Sequence, residues 1–487
     1  MDYSQFLMMP QELGLLLVFL LVFLFDTFLP KKAQSSLSIF TCVVFALFTV
    51  ANVVMSGTGT SFAGMYEQTE ATYAMKLILN AGMLIVLIQA TKWANSEFVA
   101  VRRGEFYELL LATLLGMYIM ISARHFLLFV IGLETASLPL AALVAFDKKH
   151  YESHEAAAKY MFTAVFSSAI FMLGLSFVYA LAGSLYFNDI AVNIMGGQSA
   201  LLVVALVFVI AGVGFKLSLV PFHLWTADVY QGAPTAVTSY LSVISKGAAA
   251  FAFLVILAQV FGSAYSAAWE WMLYAVIVLT ITIGNLFAIR QRDLKRFLAF
   301  SSISQAGYIM LGVIAASEVG MASLMFYVLV YVFSNLAAFG VIAAIENKTS
   351  KVNMDDYNGL FKTNPWLAFS MMLAMFSLAG IPPFAGFFSK FFIFVGACHT
   401  GSVAIYILVL IALINTIISL YYYLLVVKAM FIKQDECVIP TFNVAGSEKL
   451  ALIITTLGII LIGLASCIYT YLSDAANNSS AMFMFIH

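Results

Sequence analysis

Residues 212–246 read GVGFKLSLVPFHLWTADVYQGAPTAVTSYLSVISK. Lys216 and Lys246 bracket the segment, Pro221 interrupts it, and His223 and Asp228 follow the proline. A soluble domain could carry these groups on its surface at little cost. The composition removes that option. The chain of 487 residues is 63% hydrophobic and 10% charged, against about 25% charged in ordinary soluble domains. Its mean hydropathy is +1.01. Apolar runs of about 20 residues recur along it, the length needed to cross a bilayer as helix. In lipid the peptide groups must be paired within helices or closed barrels. The runs are continuous rather than alternating, so they read as helices. The segment 212–246 is then a broken membrane helix followed by a second span, with a buried charge in each.

Working outward, fourteen spans are predicted: 11–29, 37–56, 74–94, 106–122, 126–146, 156–182, 200–231, 234–261, 270–289, 296–316, 319–345, 364–398, 402–432 and 449–472. Two are too long and carry internal breakers: 200–231 with Pro221, and 364–398 with Gly380-Ile381-Pro382-Pro383. Seventeen of the 23 basic residues fall in or beside odd-numbered loops, from Lys31 and Lys32 to Lys433 and Lys449. The positive-inside rule places those loops in the cytoplasm and both termini outside. The first apolar run ends at Lys31-Lys32 and reads as a retained span rather than a cleaved signal.

The broken spans also suggest a repeat. Spans four to eight and nine to thirteen are two sets of five, each with its fourth member broken. Five is odd, so the second set is inverted relative to the first, a transporter plan with ion sites near the breaks. The expected fold is an all-α polytopic membrane protein. Its expected segments are an N-terminal three-helix segment (1–104), a first repeat (105–262), an inverted second repeat (263–433) and a last helix with a tail (434–487).

Several chemistries have no support. The net charge of −1 gives no electrostatic case for nucleic acid. Cys42, Cys398, Cys437 and Cys467 stand alone, without metal spacing. No HExxH, no GxGxxG opening a helix after a strand and no GxxxxGK[ST] occurs. No metal site and no cofactor in this chain is expected.

What remains is a small set of charges inside spans: Glu134, Lys159, Lys216, Lys246 and Lys390. Each costs roughly 3 kcal/mol to place in the membrane, on the order of 15 kcal/mol together before pairing and water reduce it. A chain that only had to span lipid would use leucine. Glu134 lies mid-way along FLLFVIGLETASLPLAALVAF (126–146). It reads either as a carboxylate pinning two helices or as part of an ion path. Lys216 ends the first half of the broken seventh span, where Pro221 lacks an N–H and crowds the carbonyl of Leu217. Burial disfavours a charged lysine and a nearby carboxylate favours it, so moving one relative to the other switches a proton. Lys246 lies about twelve residues into its span, too deep to snorkel. Lys390 follows the Pro382-Pro383 break by two turns and is the counterpart of Lys216. Lys159 follows Glu155 by four residues, so an ordinary i,i+4 pair explains it equally. His223 is either a proton relay between half-helices or a histidine bonded to loop carbonyls.

Three segments carry a resemblance: PFHLWTADVYQGAPTAV (221–237), DLKRFLAFSSISQAGY (293–308) and SLAGIPPFAGFFSKFF (377–392). In order and spacing the chain resembles the antiporter-like membrane subunits of respiratory complex I, the proton-translocating NADH:quinone oxidoreductase. The resemblance implies fourteen helices in two inverted five-helix repeats. It places the family's glutamate on Glu134 and its lysines on Lys216, Lys246 and Lys390, with the connecting histidine on His223. One branch also has a sixth-helix lysine, which falls on Lys159. That branch, with lysine in the twelfth helix and no lateral helix after the last span, is the one this chain is most similar to. Many of its members have histidine where this chain has Gln305, which cannot titrate. The resemblance further implies FMN, iron–sulfur clusters and quinone on other subunits. The implied neighbours are an antiporter-like subunit M on one side and small subunits such as K and J on the other. A subunit of a multi-subunit sodium/proton antiporter is the first alternative, and a structural subunit with buried lysines the second.

Overall fold

The computed structural model describes residues 3–30, 34–54, 57–195, 200–262, 266–399, 401–432 and 438–484. Lys31, Lys32, Lys433, Cys437 and the end of the tail lie outside the described residues.

The chain opens with two apolar helices, α1 (Pro10–Phe28) and α2 (Ser36–Val54). A short antiparallel hairpin follows, β1 (Gly59–Ser61) and β2 (Tyr66–Gln68). Thr69 then starts α3 (Glu70–Ala94) with a capping box closed by Thr72, satisfying amides that the first turn leaves free. Helices α4 (Arg103–Ser122) and α5 (Phe126–Val144) pack as a tight antiparallel pair. A Cβ on Gly132 would sit 2.6 Å from the Met120 amide, so only glycine lets these backbones meet. Next come the long α6 (Tyr151–Ala182) and a short surface helix, α7 (Phe187–Ile194).

The seventh pass is broken, as Pro221 predicts. It consists of α8 (Ala200–Leu217) and α9 (Leu224–Gly232). The eighth pass begins as α10 (Thr235–Tyr240), widens into a π-turn at Leu241–Ser245 and continues as α11 (Lys246–Val260). Then follow α12 (Ser266–Arg290), α13 (Leu294–Ile314), α14 (Glu318–Thr349) and a single turn, α15 (Leu360–Thr363). The twelfth pass is also broken, into α16 (Pro365–Ala379) and α17 (Ala385–Cys398). Each break contains a cis bond, Val220–Pro221 and Pro382–Pro383. The chain closes with α18 (Val403–Phe431), α19 (Gly446–Leu464) and α20 (Ser466–Asn477).

Among the described residues, thirteen helices are long and apolar enough to cross a membrane, and the two half-helices of the twelfth pass complete the set. Several boundaries differ from the sequence reading, α3 starting at Glu70 rather than 74 and α12 at Ser266 rather than 270. Helix α6 starts at Tyr151 rather than 156, α14 runs on to Thr349, and the last pass breaks at Ala465. The hairpin and α7 are additions to the expected set.

Burial separates the helices into two groups. The eighth pass and α13 are wholly enclosed by protein, whereas α1 and α18 are about one-third enclosed. The outer helices show Leu17, Val54, Ile417 and Leu461 on their surfaces, as lipid-facing helices do. Both enclosed passes carry polar side chains in mid-pass, Lys246 on the eighth and Ser301, Ser302 and Gln305 on α13.

Candidate functional site

Lys216 stands in the last turn of α8 and is 4% exposed. The break that ends α8 is closed by its own backbone, with Ser218 N–H donating to Phe215 O and Leu219 N–H to Gly214 O. Val220 N–H donates to Thr280 Oγ1, and the Trp225 indole donates to Phe215 O. The ammonium is therefore left for side chains. It donates to Ser137 Oγ at 2.8 Å and reaches the Tyr160 hydroxyl at 3.5 Å. Both partners are neutral.

Glu134 lies one turn before Ser137 on α5, so the two share a helix face. Its Oε1 is buried without a hydrogen-bond partner among the described residues, and it lies near enough to act on Lys216 through space. Pro139 inside α5 has no N–H for the Thr135 carbonyl, which loosens the ladder next to Glu134. Lys216 thus rests on a hydroxyl beside an unpartnered carboxylate, rather than in an ion pair with it.

Lys246 is 1% exposed and opens α11 after the π-turn. It donates to Ser302 Oγ at 2.7 Å and lies 5.4 Å from the centre of the Tyr230 ring. The Tyr230 hydroxyl is 3.5 Å from the same Ser302 oxygen. Between Tyr160 and Tyr230 stands Trp225, with ring centres 5.3 Å and 6.4 Å away. Aromatic contact, not a direct hydrogen bond among the described residues, joins the Lys216 and Lys246 groups.

Helix α13 carries the next links on one stripe, at Ser301, Ser302, Gln305 and Tyr308. Ser301 Oγ and Tyr423 Oη are 2.5 Å apart, and the Gln305 amide donates to Tyr423 Oη at 3.0 Å and to Leu378 O at 3.3 Å. Tyr327 donates its hydroxyl proton to Gln305 Oε1. Ala379, next to Leu378, is the last residue of α16, and Lys390 donates to its carbonyl at 3.0 Å. Lys390 is 5% exposed and lies 5.0 Å from the Tyr308 ring centre. A cation at a helix C-terminus is favoured by the free carbonyls and the dipole. Lys216 gains this position on its own helix. Lys390 gains it by folding back across the break, over Gly380 in its left-handed conformation.

The remaining predicted residues stand apart. His223 is 8% exposed, beside the Pro221 backbone and apart from the three lysines. Lys159 has a side chain 42% exposed and pairs with Glu155 at 2.7 Å and Asp228 at 2.6 Å. Arg296 holds the other Asp228 oxygen at 2.7 Å. Lys159 therefore belongs to a rim cluster that clamps α9, outside the buried file.

The sequence reading missed two things. The hydroxyls of Ser137, Tyr160, Ser302, Tyr327 and Tyr423 are not among the candidate residues, although each takes part in the hydrogen bonds above. Lys76, a further lysine within a predicted span, is 0% exposed. It is paired with Glu12 at 2.6 Å and donates to Gln68 Oε1 at 2.7 Å. Its position inside the third span was the available signal.

Two broken helices, with Lys216, Lys246 and Lys390 buried on neutral partners and the Glu134 carboxylate beside Lys216, define an antiporter-like polytopic membrane protein. The family described as NADH:quinone oxidoreductase/Mrp antiporter matches residues 123–419. An NADH-quinone oxidoreductase subunit N from Phocaeicola vulgatus is 54% identical, covering 98% of this chain and all of that one. A subunit N from Azobacteroides pseudotrichonymphae is 52% identical, over 97% and 98% of the two chains. A chain of respiratory complex I from Thermus thermophilus superposes with a TM-score of 0.78 at 31% identity, covering 93% of this chain and 97% of that one. A chain of the Mrp complex from Dietzia reaches 0.84 over the full length of both chains, but at 20% identity, a likeness of fold alone. The chain belongs to the NADH-quinone oxidoreductase subunit N family.

Proposed function

We propose that this chain is the subunit N-type proton-translocating membrane subunit of an NADH:quinone oxidoreductase. One observation carries the reading. Lys216, Lys246 and Lys390 are enclosed by protein, and each is held by hydroxyl or carbonyl oxygens instead of a carboxylate. A structural charge would be paired, because an uncompensated buried ammonium is expensive. A lysine on neutral partners can lose its proton and keep its place.

Glu134 and Lys216 act as the switch. With Lys216 on Ser137, the ammonium lacks its counter-charge and proton release is favoured. Moving it one turn to Glu134 holds the proton. Lys246 receives and passes protons at the centre, the α13 stripe leads onward, and Lys390 delivers them to the far face. Gln305 bridges this stretch through fixed hydrogen bonds, so a proton passes it by way of the Tyr423 and Tyr327 hydroxyls or water. His223 relays at the break, and Lys159 fixes α9 through Asp228.

NADH oxidation and quinone reduction belong to other subunits, with FMN and iron–sulfur clusters there and none in this chain. The neighbours are subunit M on one side and small subunits such as K and J on the other. The membrane is the bacterial inner membrane, with the basic loops in the cytoplasm and both termini outside. The test is NADH oxidation and proton pumping, measured together in membranes carrying Lys216→Ala, with assembly checked on a native gel. An assembled complex in which both activities fall together supports the switch. Normal activity rejects it.

A further inference from the structure

The last pass contributes no side chain to the proton path, yet it is interrupted. It contains no proline from Gly446 to Asn477. It nevertheless divides at Ala465, whose ψ of 85° lies outside the helical range. Ala465 N–H still donates to Leu461 O at 2.9 Å, and α20 restarts at the next residue.

On both sides of this kink the pass touches α17, the half-helix that carries Lys390. Before the kink, Gly463 lies against the break of the twelfth pass. A Cβ there would stand 2.7 Å from Pro383 O and 2.8 Å from Ala385 N. Those are backbone atoms, which cannot swing aside as the end of a side chain can. After the kink, the Tyr469 ring stacks on Phe392, with centres 3.8 Å apart and planes at 11°. Its edge meets Phe326 of α14, with centres 5.6 Å apart. Its hydroxyl is 3.4 Å from Ser323 Oγ, and Ser323 donates to Phe392 O at 3.0 Å. Lys390 stands between the two grips, five residues after Ala385 and two before Phe392.

The break explains why α17 needs such support. A continuous helix fixes the angle of its second half through the hydrogen-bond ladder, and the ladder is cut between Ala379 and Ala385. The local ties are few. Gly386 N–H donates to Ser377 Oγ at 3.1 Å, and Ser377 Oγ is 2.7 Å from Ser334 Oγ of α14. Lys390 lies one turn after Gly386, so its bond to Ala379 O depends on how α17 is seated against the end of α16. A displacement of about 1 Å at a reacting group can cost about 100-fold in rate. We infer that the last pass positions Lys390 for proton transfer, with Gly463 and Tyr469 as the positioning residues. The inference rests on the proposed function and gives the last pass a part in the path without placing any of its side chains on it.

The test compares membranes carrying Gly463→Ala with the parent and with Gly446→Ala. Gly446 opens α19, and an added Cβ there meets nothing within 4 Å. NADH oxidation, proton pumping and the pH profile of pumping are measured per assembled complex, with assembly read on native gels. Gly446→Ala is expected to match the parent. In Gly463→Ala, oxidation and pumping are expected to fall together by at least about tenfold. The pH profile is expected to shift as well, because the displaced group is the one that exchanges the proton. Parent rates in an assembled Gly463→Ala complex overturn the inference. So does a loss of rate with the parent's pH profile, which marks a general structural fault. If Gly463→Ala does not assemble, Tyr469 decides. Tyr469→Phe keeps the stack on Phe392 and is expected to retain most of the rate, whereas Tyr469→Leu loses the stack and most of the rate. Equal rates in the two variants, or loss of assembly in Tyr469→Leu as well, overturn the inference. A Lys390→Ala arm separates the two readings. Normal pumping in Lys390→Ala rejects the proposed function. No pumping there, with parent rates in Gly463→Ala, rejects the positioning role alone.

Discussion

At the residue scale, the buried lysines differ in kind from the charges at the rim. Lys159 shares Asp228 with Arg296, so Lys159→Gln leaves one cation on that carboxylate. Half-exposed pairs of this kind contribute about 0–1 kcal/mol. NADH-driven pumping in Lys159→Gln is expected to stay within a few-fold of the parent, and Asp228→Asn, which loses both pairs, to fall further. Gln305→Leu is a sharper case. It leaves the buried Tyr327 hydroxyl without its acceptor, at about 1–3 kcal/mol for the unsatisfied group, while Tyr423 loses the Gln305 amide and keeps Ser301. Reduced thermal stability and reduced pumping should appear together, whereas Gln305→His, which restores hydrogen bonding, should recover both. Much of this scale was legible beforehand. Glu134, Lys216, Lys246 and Lys390 stood out because charge is costly in a span. The hydroxyls did not, because serine and tyrosine in an apolar run carry no such cost and look like packing.

At the scale of elements, the two breaks were readable because proline cannot continue a helix. What the breaks hold was less readable. Lys390 lies after its break, and only the fold shows that it returns to the carbonyl end of α16. Gly380 makes that return possible, with φ at +88° and Lys390 Cδ 3.0 Å from where a Cβ would stand. Gly380→Ala places a side chain in the left-handed region at roughly 1–2 kcal/mol and pushes the lysine off its carbonyl. Lower pumping at normal assembly is the expected outcome, checked on native gels and in vesicles. The π-turn before Lys246 had no sequence signal, since Leu241–Ser245 has the composition of ordinary helix.

At the scale of the molecule, the span count and the odd-loop charge bias followed from hydropathy and lysine placement. The tie between α1 and α3 did not, because Glu12 and Lys76 are 64 residues apart. Breaking that buried pair on one side strands the other charge, at about 3–5 kcal/mol. Lys76→Met is expected to lower the amount of assembled complex. Glu12→Leu combined with Lys76→Met should recover much of it, as apolar replacement of both partners often does. The same reasoning sets the proton path apart: its lysines stand without carboxylate partners, so their removal should spare assembly and abolish transport. The most direct measurement is the rate of proton pumping and of NADH oxidation in membranes carrying Lys246→Met, normalised to assembled complex. Both are predicted to fall by at least about tenfold, a barrier increase of about 1.4 kcal/mol. Wild-type rates in a fully assembled Lys246→Met complex would contradict proton transfer through the centre of this chain.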